Sequence, residues 1–476
     1  MTQAAQSDFE QPSRPAPAPQ AVAVKPSLSR LDSLIFYGLF GLLLFGPLAF
    51  GAVEPAGMFV LQAGAAALFV LWVIRQIQLG EINLSGNPVF APMAAFGCLI
   101  TIQLLLGLTA YRYVTASHAL LYATYGMLSF LVVQNLRRTS QLRWLAIVFS
   151  GYGAALALFA LVQALSGTTK LYWMVTPRLG GWIYGPYVNH NHYAGLMEML
   201  VPIPLVVGVV GRRKGALKAL ALSSAVLMAS TIFLSGSRGG MAAFLVQLLL
   251  LAIVMVRRER HARPMIAIAV FLACVAGLLI WLGGGELAKR LTSIHTEVRW
   301  EASGGTRLAI DRDALTMFPR KPVLGWGLGT FPEVYPQFRS FYTNFFVNAA
   351  HNDYLQLLVE MGALGFIVML WMVFVVYRAA LRKLTNWPSD TNAQVAMAAL
   401  LGVTGILVHS TVDFNLHIPA NAALFYVLCA VAASEPGFGH FQRRTREKVP
   451  EPNLEPRKKN FLRRFLDGDQ DRERWR

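Results

Sequence analysis

The apolar residues of this chain come in runs of about 20, the length a helix needs to cross a bilayer core of about 30 Å. Twelve such runs lie near residues 33–53, 57–79, 89–109, 116–135, 142–165, 189–211, 216–235, 239–256, 264–284, 352–377, 393–411 and 418–435. Inside hydrocarbon every backbone N–H and C=O must find its partner within the protein, so runs of this length fold as helices. Composition agrees: of 476 residues 55% are hydrophobic and only 14% charged, where a soluble protein carries roughly 25% charge. The expected fold is an all-α integral membrane protein of about twelve transmembrane helices. Residues 1–32, rich in Pro, Ala and Gln, and the basic stretch 436–476 read as disordered tails on a membrane domain spanning 33–435. No cleavable signal peptide is expected.

The net charge of +17 would suggest nucleic acid on a soluble domain. Here it is explained by lysine and arginine staying in the cytoplasm, where membrane lipid is anionic, so no nucleic-acid partner is expected. With the N-terminus inside, the cytoplasmic side receives Arg14, Lys25, Arg30 and Arg75, the loops holding Arg137, Arg138 and Arg143, Arg212 to Lys218, and Arg257 to Arg263, then Arg378, Arg382, Lys383 and the C-terminal tail. Both termini are therefore expected in the cytoplasm. The exception is the longest loop, 285–351, which falls outside yet carries Lys289, Arg290, Arg299, Arg307, Arg312, Arg320, Lys321 and Arg339. So many cations on the disfavoured side point to an anionic ligand there.

Within that loop Thr306–Phe318 reads as an amphipathic helix, with Thr306 as N-cap, Leu308, Leu315 and Phe318 near one face, and Arg307, Asp311 and Arg312 largely elsewhere. The segment Gly325-Trp326-Gly327-Leu328-Gly329 reads as a tight turn that lets backbone approach a neighbour. Cys98, Cys274 and Cys429 sit in apolar runs without metal or redox spacing and read as small core residues.

Three groups stand out chemically. Arg238, in Ser235-Gly236-Ser237-Arg238-Gly239-Gly240, joins two apolar runs at the outer face. Turn geometry accounts for the glycines, but an arginine at the membrane edge is costly and marks a functional position; a snorkelling surface arginine is the plainer account. His351 ends the basic loop and opens a span, with Asn352 or Asp353 as N-cap. A histidine there either exchanges protons near neutral pH or is satisfied by backbone carbonyls. Arg307 opens the loop helix, where a helix N-terminus and a guanidinium together make an anion site, although taken alone a solvated arginine on an exposed face is the favoured account. As supporting groups, Asn189-His190-Asn191-His192 opens a span with two ring nitrogens too few for a metal. His409, Asp413, Asn415 and His417 crowd the turn before the last span, where their polarity implies a buried network or a water-filled cavity, and Glu198 should face the bundle with a partner. Asp353 and Arg312 complete the set.

Taken in order, SGSRGG, TRLAIDRDALTMFPRKPVLGWGLGTF and AHNDYLQLLVEMGALG make residues 185–380 resemble the O-antigen ligase and O-antigen polymerase superfamily. The resemblance implies a GT-C-like, metal-independent, inverting glycosyltransferase in the bacterial inner membrane, its site on the periplasmic face and no cofactor. It would move a glycan from undecaprenyl diphosphate to an acceptor hydroxyl. The acceptor is lipid A–core in ligases and another lipid-linked repeat in polymerases, with a chain-length regulator as a further partner. By position the donor diphosphate falls to Arg238 and Arg307 and the acceptor to His351. VNHNHYAGLMEM and HSTVDFNLHIPAN look closer to exopolysaccharide-polymerase relatives, which leaves the acceptor open.

The rival reading is a secondary transporter, which twelve spans and intramembrane charges would also suit. A two-halved transporter carries internal repeats; none is visible here, and the large loop falls between spans nine and ten rather than after span six.

Overall fold

A computed structural model describes residues 26–80, 82, 84–136, 139–177, 183–210, 215–258, 265–282, 306–343, 346–386 and 391–434. Residues 1–25 of the expected tail 1–32, the expected tail 436–476 and the loop residues 285–305, with Lys289, Arg290 and Arg299, lie outside them; residues 26–32, expected in the tail, belong to the first helix. The described chain is helical, with two isolated bridges, Leu171 to Val175 and Tyr184 to Tyr187, as its only β-pairing. In chain order the principal helices are α1 (Pro26–Leu48), α2 (Pro55–Leu79), α3 (Phe90–Leu105), α4 (Arg112–Asn135), α5 (Thr139–Leu165), α6 (His190–Leu200), α7 (Pro202–Val210), α8 (Ala216–Leu234), α9 (Arg238–Arg258), α10 (Met265–Leu282), α11 (Thr306–Met317), α12 (Asp353–Lys383), α13 (Thr391–His409) and α14 (Pro419–Ala433).

Each of the twelve apolar runs is helical. Among the described residues ten helical segments are long and apolar enough to cross a membrane, with α6 and α7 counted as one through Val210. The runs at 89–109 and 418–435 form only the 16- and 15-residue helices α3 and α14. The shortfall has local causes. α3 stops at Leu105 because Gly107, at φ +64°, turns the chain away and Leu108 N–H returns to the Gln103 carbonyl, and α14 stops at Ser434, whose ψ of 128° is not helical.

The α6–α7 segment forms the centre of the bundle. Asn191 to Leu200 are all buried, and the chain jogs at Val201 into Pro202 and Pro204. Its neighbour α13 approaches through glycines. A Cβ on Gly402 would lie 3.0 Å from the Met199 carbonyl oxygen, and one on Gly405 would collide with the Gln247 amide. Small residues at such crossings let backbones pack closely where no hydrophobic force drives association. Gln247 then ties three helices together by donating to the carbonyls of Glu198 and Leu401, at 2.7 and 2.8 Å.

Cys429 is buried, but Cys98 and Cys274 are exposed, contrary to the expectation for all three. A residue within a membrane run need not be a core residue, because apolar side chains also cover the lipid-facing surface.

The segment 306–350 folds over a small core of its own, with Ile310, Ala314, Met317, Phe331, Val334 and Tyr335 packed beside Ala350 and Val359. The expected apolar face of α11 is corrected here: Leu308 and Leu315 are 57% and 53% exposed. Ile310, Ala314 and Met317, spaced i, i+4, i+7, face inward with Asp313. Asp313 is tolerated there because Tyr335 Oη–H and Ser340 N–H both donate to its Oδ2, at 3.0 Å.

This small unit is joined to α12 at a break in the helix. Gly362 has φ +63° and ψ −171°, which interrupts the helical ladder. The freed carbonyls of Val359 and Glu360 accept from Trp326 and Gly327 N–H, at 3.0 and 2.9 Å. The freed N–H groups of Ala363 and Leu364 donate to the carbonyls of Pro322 and Val323, at 2.8 and 3.2 Å. The expected Gly-rich turn is thus the complement of a broken span, the arrangement that permits irregular backbone at membrane depth. The buried Glu360 carboxylate completes the joint by accepting from Gly329 N–H, Phe331 N–H and the Gln356 amide.

Candidate functional site

Four chain segments meet where α6, α9 and α12 begin and α13 ends. The start of α6 brings His190 and His192, and the turn into α9 brings Ser237 and Arg238. The mouth of α12 brings His351 and Asp353, and the 410–417 turn carries Asp413 and His417.

Asp413 is the centre. It is 1% exposed, and its Oδ1 lies 3.7 Å from His351 Nδ1 and 4.0 Å from His192 Nε2. Burial alone would raise this carboxyl, but the facing His351, with His192 and His409, outweighs burial and holds it well below the usual carboxylate range. The Phe414 ring stands edge-on to both imidazoles, at 4.8 Å from His192 and 4.9 Å from His351, and separates them.

His351 sits ahead of the helix, not within it. Asn352 is the N-cap: its side chain accepts from Tyr354 and Leu355 N–H. His351 itself has φ +54°, a left-handed conformation that few non-glycine residues adopt, histidine more often than most. The surrounding contacts impose it: Ala350 N–H donates to Gln356, and Asp353 N–H donates to the Ser410 carbonyl. Strain of this sort persists where neighbouring structure fixes the backbone, and it aims the side chain. The ring faces a carboxylate as well as a helix end, an anionic neighbour that its sequence position did not reveal.

Asp353 serves the same turn structurally. Its carboxylate accepts from Ser410 Oγ at 2.6 Å, Leu416 N–H at 3.2 Å and His417 Nδ1 at 2.7 Å. Burial opposes charge on His417, yet the Asp353 carboxylate overcomes it and raises the imidazole above its ordinary value. His409 pairs with Glu198 at 2.8 Å, both fully enclosed, and its Nε2 lies 3.4 Å from Ser237 Oγ. The partner expected for Glu198 is therefore His409. This pair seats the SGSRGG turn. Gly236 carries the positive φ of +77°, whereas Gly239 and Gly240 are already helical. Those two are glycine for contact: a Cβ on Gly239 would strike His409 and Val412, and one on Gly240 would press on Ala194 and Glu198. His190 Nδ1 meets the Ser235 carbonyl oxygen at 2.9 Å from the other side.

The two arginines flank the 410–417 turn. Arg307 Nη1 donates to the Val412 carbonyl at 3.2 Å, while exposed Arg238 precedes the glycine packed on the Val412 side chain. Asp311 on α11 is half-buried among them. Burial raises its carboxyl, opposed by His351 and then Arg307. Asp311 was expected away from the buried face, so its place beside His351 is a departure from the sequence reading. Arg312 is exposed, and no hydrogen bond or ion pair among the described residues ties it to the cluster.

Buried polar atoms are normally hydrogen-bonded, and exceptions call for a reason. His192 Nε2, His351 Nδ1, Asp413 Oδ2 and Asp311 Oδ1 are all enclosed without a hydrogen-bond partner. These unpaired atoms collect at one place, beside the 410–417 turn to which Arg307 donates. Such a site can orient a neutral imidazole, take up a proton and hold an anion. Among the described residues no group of three or more His, Cys, Asp or Glu side chains is arranged to hold a metal ion.

Residues 223–370 match the family model described as O-Antigen ligase. The matched stretch runs from within α8 into α12, so it holds Arg238, Arg307 and His351. It begins after His192 and Glu198 and ends before His409 and Asp413. No curated protein matches the chain.

Proposed function

We propose that this multi-pass membrane protein transfers a glycan from a polyprenyl-diphosphate donor to an acceptor hydroxyl, a reading supported by the match of residues 223–370 to the O-antigen ligase family model. The observation that carries the reading is the unpaired His351–Asp413 contact beside the turn to which Arg307 donates. Asp413 faces Nδ1 of His351 and orients the ring, so Nε2 is the atom left to accept a proton. The acceptor oxygen attacks the anomeric carbon as its proton passes to His351. The bond from that carbon to the diphosphate oxygen breaks, and the leaving group departs with the electron pair, inverting the anomeric centre. Diphosphate is a good leaving group, so stabilising its growing charge matters more than protonating it. Guanidinium forks do this in bidentate fashion while staying charged. Whether the acceptor is lipid A–core or a second lipid-linked repeat does not alter the chemistry.

Replacing Arg238 or Arg307 with Lys keeps the charge and removes the fork. Turnover in proteoliposomes supplied with lipid-linked donor should fall about tenfold or more in each variant. Full activity of both Arg238→Lys and Arg307→Lys at normal expression would refute direct phosphate recognition. Sugar uptake without product would instead favour a transporter.

A chelator should leave turnover of the purified protein unchanged, because arginine rather than a carboxylate-bound cation balances the diphosphate. Activity lost to chelator and restored by Mg²⁺ or Mn²⁺ would overturn this.

The reading places the loop 285–351 in the periplasm and both termini in the cytoplasm of a bacterial inner membrane, in keeping with the lysine and arginine distribution. Alkaline phosphatase fused after Leu291 should be active and fused after Phe441 inactive; activity at the second position would sink the orientation.

A further inference from the structure

At the end of the bundle remote from His351, a cavity of about 620 Å³ opens between α1, α5, α7, α8, α13 and α14. Its walls come from the first half of α5, the beginnings of α8 and α13, the first two turns of α7 and the later turns of α14. The opposite ends of α7's partner α6, and of α8, α13 and α14, adjoin the His351 cluster. The cavity is therefore separate from the proposed transfer site.

The walls are hydrocarbon in character. Phe149, Ala221 and Leu428 contribute to them, and the two wall serines turn away: Ser150 and Ser224 donate to their own helices at the Ala146 and Leu220 carbonyls. Water gains nothing from an apolar cavity, whereas an apolar ligand does. A volume of this size is typical of a ligand pocket. Ile147 and Leu220, on its rim, are 61% and 64% exposed, so the opening faces lateral surface of the kind that meets lipid.

The mouth is cationic. Arg143 lines it and is exposed, with no hydrogen bond or ion pair among the described residues. Thr391 and Gln394 line it from the first turn of α13. The N-terminal ends of α5, α8 and α13 meet there, and helix N-termini favour anions. Hydrocarbon walls below the Arg143 guanidinium and three positive helix ends match one kind of molecule, an amphiphile with an anionic head.

We infer that this cavity binds an anionic phospholipid from the adjacent leaflet, with acyl chain in the cavity and headgroup phosphate at Arg143. Gly151 offers a clean way to fill it, because it lines the cavity and a Cβ there meets nothing within 4 Å.

The full chain is purified in phosphatidylglycerol or in phosphatidylcholine of matched acyl chains, and retained lipid is counted by native mass spectrometry. The wild type should retain phosphatidylglycerol about tenfold better than phosphatidylcholine, the preference one charge-assisted contact supplies. Arg143→Gln should bring the two lipids level. Gly151→Phe should lower retention of both, with Gly151→Leu as a milder blocker should the larger ring disturb thermal stability. Equal retention of the two lipids by the wild type overturns the inference. So does retention of neither, as would happen were the chain's own tail the occupant, or unchanged phosphatidylglycerol retention in Arg143→Gln or in both Gly151 variants.

Discussion

Replacing His351 with Ala should lower turnover by about 10²–10⁴-fold, the usual contribution of a positioned general base, while lipid-linked donor still binds. The structure allows a sharper companion. His351 lies at φ +54° and is not the helix cap, a role filled by Asn352. Asparagine tolerates that conformation better than most residues. His351→Asn should therefore fold normally and keep the α12 mouth intact, yet turn over as poorly as the alanine variant because an amide does not take up the proton. Asp413→Asn should fall into the same range, since an amide no longer favours the ring orientation that leaves Nε2 free. Turnover and donor affinity of the three variants in nanodiscs decide the matter. A fully active His351→Asn protein removes the catalytic role, and loss of donor binding moves His351 to the diphosphate.

Gly362→Ala should be the most damaging small substitution in the described chain, destabilising it by at least about 2 kcal/mol. Its φ and ψ of +63° and −171° belong to a region that essentially only glycine occupies. A Cβ there would also collide with the Val323 carbonyl, the acceptor that satisfies Leu364 N–H. The substitution thus strains the backbone and pushes away the segment that completes the broken helix. Gly126→Ala is the control: Gly126 lies in α4, and an added Cβ meets nothing within 4 Å. It should be neutral or slightly stabilising, because alanine is the better helix former. Thermal unfolding in detergent compares the two, and equal melting temperatures would show that the break at Gly362 carries no such constraint.

The spans were legible because a bilayer demands length and apolarity, and both are visible in sequence. What those demands do not specify was harder to read. Periodicity misplaced the inner face of α11: Leu308 and Leu315 were read as its apolar face, whereas Asp313, its carboxylate satisfied by Tyr335 and Ser340, faces inward. The chain order of Arg238, Arg307 and His351 was readable from the motifs. Their relation to Asp413 was not, because that residue comes from a turn distant in sequence and outside the stretch matching the O-antigen ligase model. The polar density of the 409–417 stretch did signal a buried network. Nothing in its pattern showed that Phe414 would stand between two imidazoles or that Glu198 would pair with His409.

The joint at Gly362 bears on how such proteins can be recombined. Residues 322–331 supply hydrogen bonds that α12 lacks at its own break, and Glu360 of α12 holds the backbone of that segment in return. The two stretches behave as a lock and its key cut from one chain. A chimera that exchanges the 306–350 unit alone, or α12 alone, would put a foreign key in the lock. A graft between relatives should instead carry residues 322–364 as one cassette.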